Sequence, residues 1–176
     1  MNRYQTLERR LGAVIVDLII VVAPLAALDQ VVFLFEPSPS VLLPWLFIST
    51  FAGAAYHILL QGWYGQTLGK MLLRVKVVRF DGEGPITTYQ AFLREIPTLL
   101  FNAVSIAGQA LVAFSGTEIY QSVPITILNV LMFLAVPWVI AEVFCAIKTI
   151  KRRAVHDFIA GTVVIRTDLE EAVTSR

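Results

Sequence analysis

Several side chains able to bind a cation or relay a proton stand in or against long apolar runs of this 176-residue chain: Arg10, Asp17, His57, Asn102 and Glu142. Ionisable groups are costly in hydrocarbon, so they normally face protein or a water-filled cavity and have a partner. Partial burial moves carboxylate pKa values up toward working pH, which suits loading and release of an ion. The same residues, fully paired, hold helices in register instead. Arg10 and Asp17 are seven apart, so a helix puts them on one face, two turns from each other, with Ala13 between. Counted from the ends of the apolar runs, Asp17, His57, Asn102 and Glu142 all lie roughly 8–10 Å deep on one side. That common level predicts a single polar layer, with small residues (Ser49 and Gly53, Ala103 and Ala107, Ala135) easing close helix approach beside it.

The elements that must position these groups are membrane helices. The composition is 57% hydrophobic and 15% charged, against roughly 25% charged in ordinary soluble domains. Four runs, about 11–35, 42–62, 95–114 and 124–147, come near the ~20 residues a spanning helix needs. The expected fold is therefore an all-α, four-span transmembrane bundle forming one domain. Pro44, Pro97 and Pro124 are read as lying near the starts of the last three spans, and Pro24 and Pro137 as interior kinks. The run 95–114, diluted by polar residues such as Asn102 and Ser105, reads either as a crossing or as a re-entrant segment.

All fourteen Lys and Arg residues fall in 3–10, 70–94 and 148–176, whereas Asp29, Glu36 and Glu118 lie in the stretches assigned to the other side. The positive-inside rule then puts both termini and the 63–94 loop in the cytoplasm. Within that loop Leu68, Met71, Leu72 and Val75 suit a short helix at the membrane surface. Residues 75–80 before Asp81-Gly82 read as a strand entering a turn, with Ile86 and Thr87 as its return. In the cytoplasmic tail, 148–176, a basic stretch gives way to the apolar Phe158-Ile159 and Val163-Val164-Ile165. These are expected to fold back on the bundle and to carry Asp157 under the polar layer, where it competes for Arg10.

Three places together resemble the RDD family of bacterial integral membrane proteins. They are Arg10 with Asp17, Gly65-Gln66-Thr67-Leu68-Gly69-Lys70 with Arg94-Glu95, and the stretch Arg153 to Val164 around Asp157. The family is named for an arginine and two aspartates, which the resemblance places at Arg10, Asp17 and Asp157, with Arg9 as an alternative for the first. Its loop motif commonly has proline where this chain has Leu68, and many members look three-spanning. The resemblance implies an inner-membrane location and proposed transport, some members being linked to cation/proton exchange.

Other chemistries lack carriers in the sequence. Cys145 is the one cysteine and His57 and His156 the two histidines, so no metal site and no cofactor is expected. There is no His-Glu-x-x-His, Gly-x-Ser-x-Gly or P-loop pattern, so an enzyme is not expected. Lys151-Arg152-Arg153 directly follows a span and reads as a topology signal or a contact for anionic lipid rather than for nucleic acid. The leading expectation is small-cation or proton-coupled transport by a homo-oligomer. The alternative is a scaffold or a lipid- or partner-binding accessory protein with a dry, fully paired polar network.

Overall fold

Apolar side chains in this chain are exposed along the helices and buried at one end, the reverse of a water-soluble domain. The computed structural model describes residues 3–35, 38–115 and 123–169; Glu36 and Glu118 lie outside them. Helix α1 (Leu7–Asp17) continues through a π-helical turn (Leu18–Val22) into α2 (Ala23–Leu34). Helix α3 (Pro39–Tyr64) runs back, and a five-residue α4 (Leu68–Leu72) leads into β1 (Val75–Arg79). Two more long helices follow, α5 (Thr88–Ser115) and α6 (Val123–Lys148), and then the short α7 (Val155–Ile159) and β2 (Thr162–Arg166).

The rods Leu7–Leu34 and Ser40–Tyr64 are long and apolar enough to cross a membrane. Ile15, Ile19, Phe47 and Ile48 on these rods, like Ile140 and Phe144 on α6, are exposed. Water would penalise such surfaces and lipid does not. Pro44 and Pro97 lie inside their helices rather than near the starts, because α3 and α5 begin earlier than the hydrophobic runs do. For α5 the cause is local. Thr87 Oγ1 accepts from Gln90 N–H (3.1 Å) and Gln90 Oε1 accepts from Thr87 N–H (3.1 Å), a reciprocal cap that starts the helix in polar sequence.

The fold is mostly helical but not all-α. β1 pairs antiparallel with β2, Val77 opposite Val164, so the expected local hairpin is replaced by a pairing between loop and tail. The segment after Asp81-Gly82 returns only as a single bridge, Val78 to Pro85. Burial explains the preference: Val75, Val77 and Val164 pack with Ile86 and Ala91, while Val163, Ile165 and Val78 pack against Tyr4. Pairing loop with tail thus closes an apolar core that a two-stranded hairpin alone could not form. Val75, read as part of the surface-helix pattern, belongs to this core; Leu68, Met71 and Leu72 of α4 stay exposed. The N-terminal segment, the loop and the tail consequently meet at one end of the helices.

The loop docks on α1 through glycine. Gly65, at φ +71°, ends α3 with its N–H on Gln61 O (2.8 Å) and accepts from Val77 N–H through its own carbonyl (2.8 Å). Gly69 lies so close to α1 that a Cβ there would stand 2.2 Å from the carbonyl oxygen of Ala13. Gly53, by contrast, has nothing within 4 Å of such a Cβ. Gly69→Ala should therefore push α4 off α1 and cost about 1–3 kcal/mol, the usual range for overpacking. Gly53→Ala should not lower stability. Unfolding midpoints of the two purified variants check this, and equal midpoints would refute the close docking.

Candidate functional site

The polar side chains assemble into three saturated clusters and one cleft. In the first cluster Asp17, buried at the end of α1, accepts from Thr67 Oγ1 (2.6 Å), Tyr56 Oη (2.8 Å) and Gly69 N–H (2.8 Å). Tyr56 Oη in turn accepts from Leu68 N–H (2.9 Å). Thr67 is also the N-cap of α4, and Gln66 Nε2 donates to Val75 O (3.0 Å). Gln66, Thr67 and Gly69 of the loop motif are thus a clamp: one holds the turn, one caps and donates, and one permits contact.

Asp157 is the centre of the second cluster. Its side chain has no solvent exposure and receives both Arg10 and Arg94, with Ala154 N–H at 2.9 Å as a third donor. Arg10 also donates to Arg152 O (2.8 Å), and Arg94 to Gln61 Oε1 (3.1 Å) and Thr162 Oγ1 (2.5 Å). Burial alone would raise the Asp157 carboxyl. The charges of Arg10 and Arg94 outweigh it and hold the group well below the ordinary carboxylate range. One anion therefore binds α1, α3, α5 and the tail together. Arg9 serves a neighbouring contact, donating to Leu73 O (3.2 Å) and Asp168 (3.0 Å). The pairing of Arg10 with Asp17 does not occur; Asp157 takes the arginine instead, because the tail turns back beneath α1.

Glu142 lies in the third cluster, where it accepts from Val155 N–H and His156 N–H (both 3.1 Å) and faces His156 Nδ1 at 2.8 Å. It docks the start of α7 on α6. Burial, with the nearby charge of Arg94, lowers the pKa of His156. Lys70 keeps partial solvent access, yet dense protein surrounds it. Burial first and the charges of Arg94 and Arg10 next bring its amine down to about 7, against the pull of Glu95 and Asp17.

His57 and Asn102 belong elsewhere. A cleft of about 470 Å³ runs between the first rod, α3 and α5. His57 and Glu95 line it, with Ser49, Thr98 and Asn102 further along and Asp29 of α2 on the opposite wall. His57 Nδ1 stands 4.0 Å from Glu95 Oε1 and is, among the described residues, the one buried side-chain polar atom without a hydrogen bond. Asn102 donates to Thr50 O (3.2 Å), seven residues from His57 along α3 and hence roughly 10 Å away along the axis. The single polar layer is thereby corrected: Asp17 and Glu142 belong to separate clusters, while His57 and Asn102 share one cleft at different levels. The depth count for Asn102 started at residue 95, whereas α5 starts at Thr88. Sequence reasoning missed Tyr56 and Gln61 as partners and Glu95 as a site residue; the Thr87-x-x-Gln90 cap was the signal that moves Glu95 well inside the helix.

These pairings have energetic consequences. Asp157→Asn leaves two arginines short of their counter-charge and should cost about 3–5 kcal/mol. Arg10→Gln should couple strongly with Asp157→Asn, the double variant being milder than the sum of the singles. Combined with Asp17→Asn, which shares no partner with Arg10, it should be additive within about 0.5 kcal/mol. Denaturant unfolding of the six proteins measures both cycles; coupling to Asp17 and none to Asp157 would contradict the assignment.

Searches of curated proteins and of solved structures return no match for this chain. The sequence model of the RDD family matches residues 4–161, a span that includes Arg10, Asp17, the Gly65–Lys70 loop, Arg94 and Asp157. The chain belongs to the RDD family, and its apolar helices make it a membrane protein.

Proposed function

We propose that this protein moves a small cation in exchange for protons, with the pair His57–Glu95 as the exchange site. One observation carries the reading: a buried imidazole nitrogen without a hydrogen bond faces a carboxylate across 4.0 Å in a cleft. Asp17, Asp157 and Glu142 have their acceptors filled by protein donors, so loading an ion there would break the contacts that hold the fold. At His57–Glu95 a proton or a cation adds a contact instead of removing one. Lys70, titrating at about 7 within electrostatic reach of both groups, lies on the side where loop and tail gather.

The architecture that goes with this function has α5 and α6 as two further spans, 28 and 26 residues long. Both termini and the loop face the cytoplasm of a bacterial inner membrane, as the clustering of Lys and Arg at that end favours. Anionic lipid meets the basic residues around 148–153, and copies of the chain associate in the membrane. A second reading, a non-transporting scaffold or accessory protein, is favoured by the saturation of the three clusters.

Flux separates the two. Purified protein in vesicles holding a pH-sensitive dye should move protons when pulsed with at least one of sodium, lithium, potassium or n-butylammonium, with protein-free vesicles correcting for passive amine entry. His57→Ala should abolish that movement while remaining folded. No proton movement with any of these cations, from well-folded wild-type protein, would remove transport and leave the accessory role.

A further inference from the structure

The cleft is shaped for something larger than a bare metal ion. Its volume, about 470 Å³, falls in the ~300–1,000 Å³ range of small-molecule sites. Among the described residues no three His, Cys, Asp or Glu side chains converge as a metal-ion cage. The cleft has two characters. Val14, Val22, Leu25 and Ala26 of the first rod form an aliphatic wall, and His57, Glu95, Thr98 and Asn102 put polar groups opposite. Among the described lining residues the charged ones are Glu95 and Asp29, both acidic, while Lys70 acts on His57 and Glu95 from outside the lining. An anion is disfavoured there, whereas a cation with an apolar body matches both walls.

The head group follows from two acceptors. His57 Nδ1, accepting in the tautomer protonated at Nε2, and Glu95 Oε1 are 4.0 Å apart. Two acceptors bonded at about 2.9 Å to N–H groups of one tetrahedral nitrogen lie roughly 4–5 Å apart. A single R–NH3⁺ group spans that separation, and a turn of the imidazole toward the cleft brings the buried Nδ1 to it. A quaternary ammonium has no N–H to offer, and a dehydrated sodium ion would find too few converging oxygens.

The first rod supplies a way in. At Asp17, between the lining residues Val14 and Val22, it is clamped by three donors. Above Asp17 the π-turn and Pro24 weaken its hydrogen-bond ladder, and no residue from Leu18 to Leu34 is buried. The hydrogen bond from Trp45 Nε1 to Asp29 (2.8 Å) ties this half to α3 at the cleft wall. We infer that the cleft binds a primary alkylammonium ion, its nitrogen between His57 and Glu95 and its chain along Val22, Leu25 and Ala26. This identifies the substrate class of the exchange site and rests on that reading for its transport meaning, although binding stands without flux.

Trp45 provides the readout. In detergent-solubilised full-length protein carrying Trp63→Phe and Trp138→Phe, n-butylammonium should change Trp45 emission saturably. Tetraethylammonium and sodium should bind about tenfold more weakly or worse, as loss of one or more charge-assisted hydrogen bonds implies. Glu95→Gln, checked for a wild-type unfolding midpoint, should lose the response. Equilibrium dialysis of labelled n-butylammonium repeats the measurement independently of the reporter. No saturable binding by dialysis, equal affinity for tetraethylammonium or sodium, or binding unchanged in folded Glu95→Gln would each overturn the inference. Sodium–proton exchange without alkylammonium binding would overturn it and leave the exchange site standing. Binding without any flux would support the site and overturn transport alone.

Discussion

A carboxylate with no solvent contact stays charged only when cations and N–H donors replace the water it has lost, and in this protein that demand falls on Asp157. Its two arginines come from distant parts of the sequence: Arg10 from the first helix, Arg94 from the first turns of the third long one. Neither helix can shift relative to the tail without exposing an unpaired buried charge. The β1–β2 pairing and the apolar cluster beneath it depend on the same constraint, since β2 begins five residues after Asp157. The family signature is thus a set of fasteners at one end of the helices.

Asp17 meets the same requirement by different means. Its donors are neutral, namely a tyrosine on α3, the threonine that caps α4 and a backbone N–H of α4. Neutral donors let the clamp sit close to the apolar region without importing a second charge. The glycine at 69 is what allows the backbone donor to arrive. With both aspartates occupied in this way, the chemistry open to a ligand moves to His57 and Glu95, where the acceptors are not all used.

The residues of these clusters were legible in the sequence to an uneven degree. Arg10, Asp17, Asp157 and the Gly65–Lys70 loop stand out because charged or turn-forming residues beside apolar runs have few explanations. Their pairing was not legible, since Arg10 has two aspartates at sterically plausible positions and only the path of the tail decides between them. The helices were visible from hydropathy, but α5 was cut short because hydropathy marks where lipid contact begins, not where a capped helix begins. That error carried Asn102 to the wrong level and hid Glu95. The β1–β2 pairing was hidden for another reason. Val75–Arg79 and Thr162–Arg166 are similar apolar runs far apart in the chain, and a nearby Asp-Gly turn offers a local partner that only three-dimensional packing rejects.

Residues that hold the protein together are distinct from the pair proposed to exchange ions, and Asp17 is where the two roles are most easily told apart. Asparagine at that position keeps an oxygen for the neutral donors, so Asp17→Asn protein should retain much of its fold. The direct measurement is cation-driven proton movement in vesicles, expressed per folded molecule, for Asp17→Asn beside wild type. A rate close to wild type per folded molecule is the result the account predicts. A well-folded Asp17→Asn protein that moves no protons would contradict it, placing the exchange chemistry at the signature aspartate rather than at His57 and Glu95.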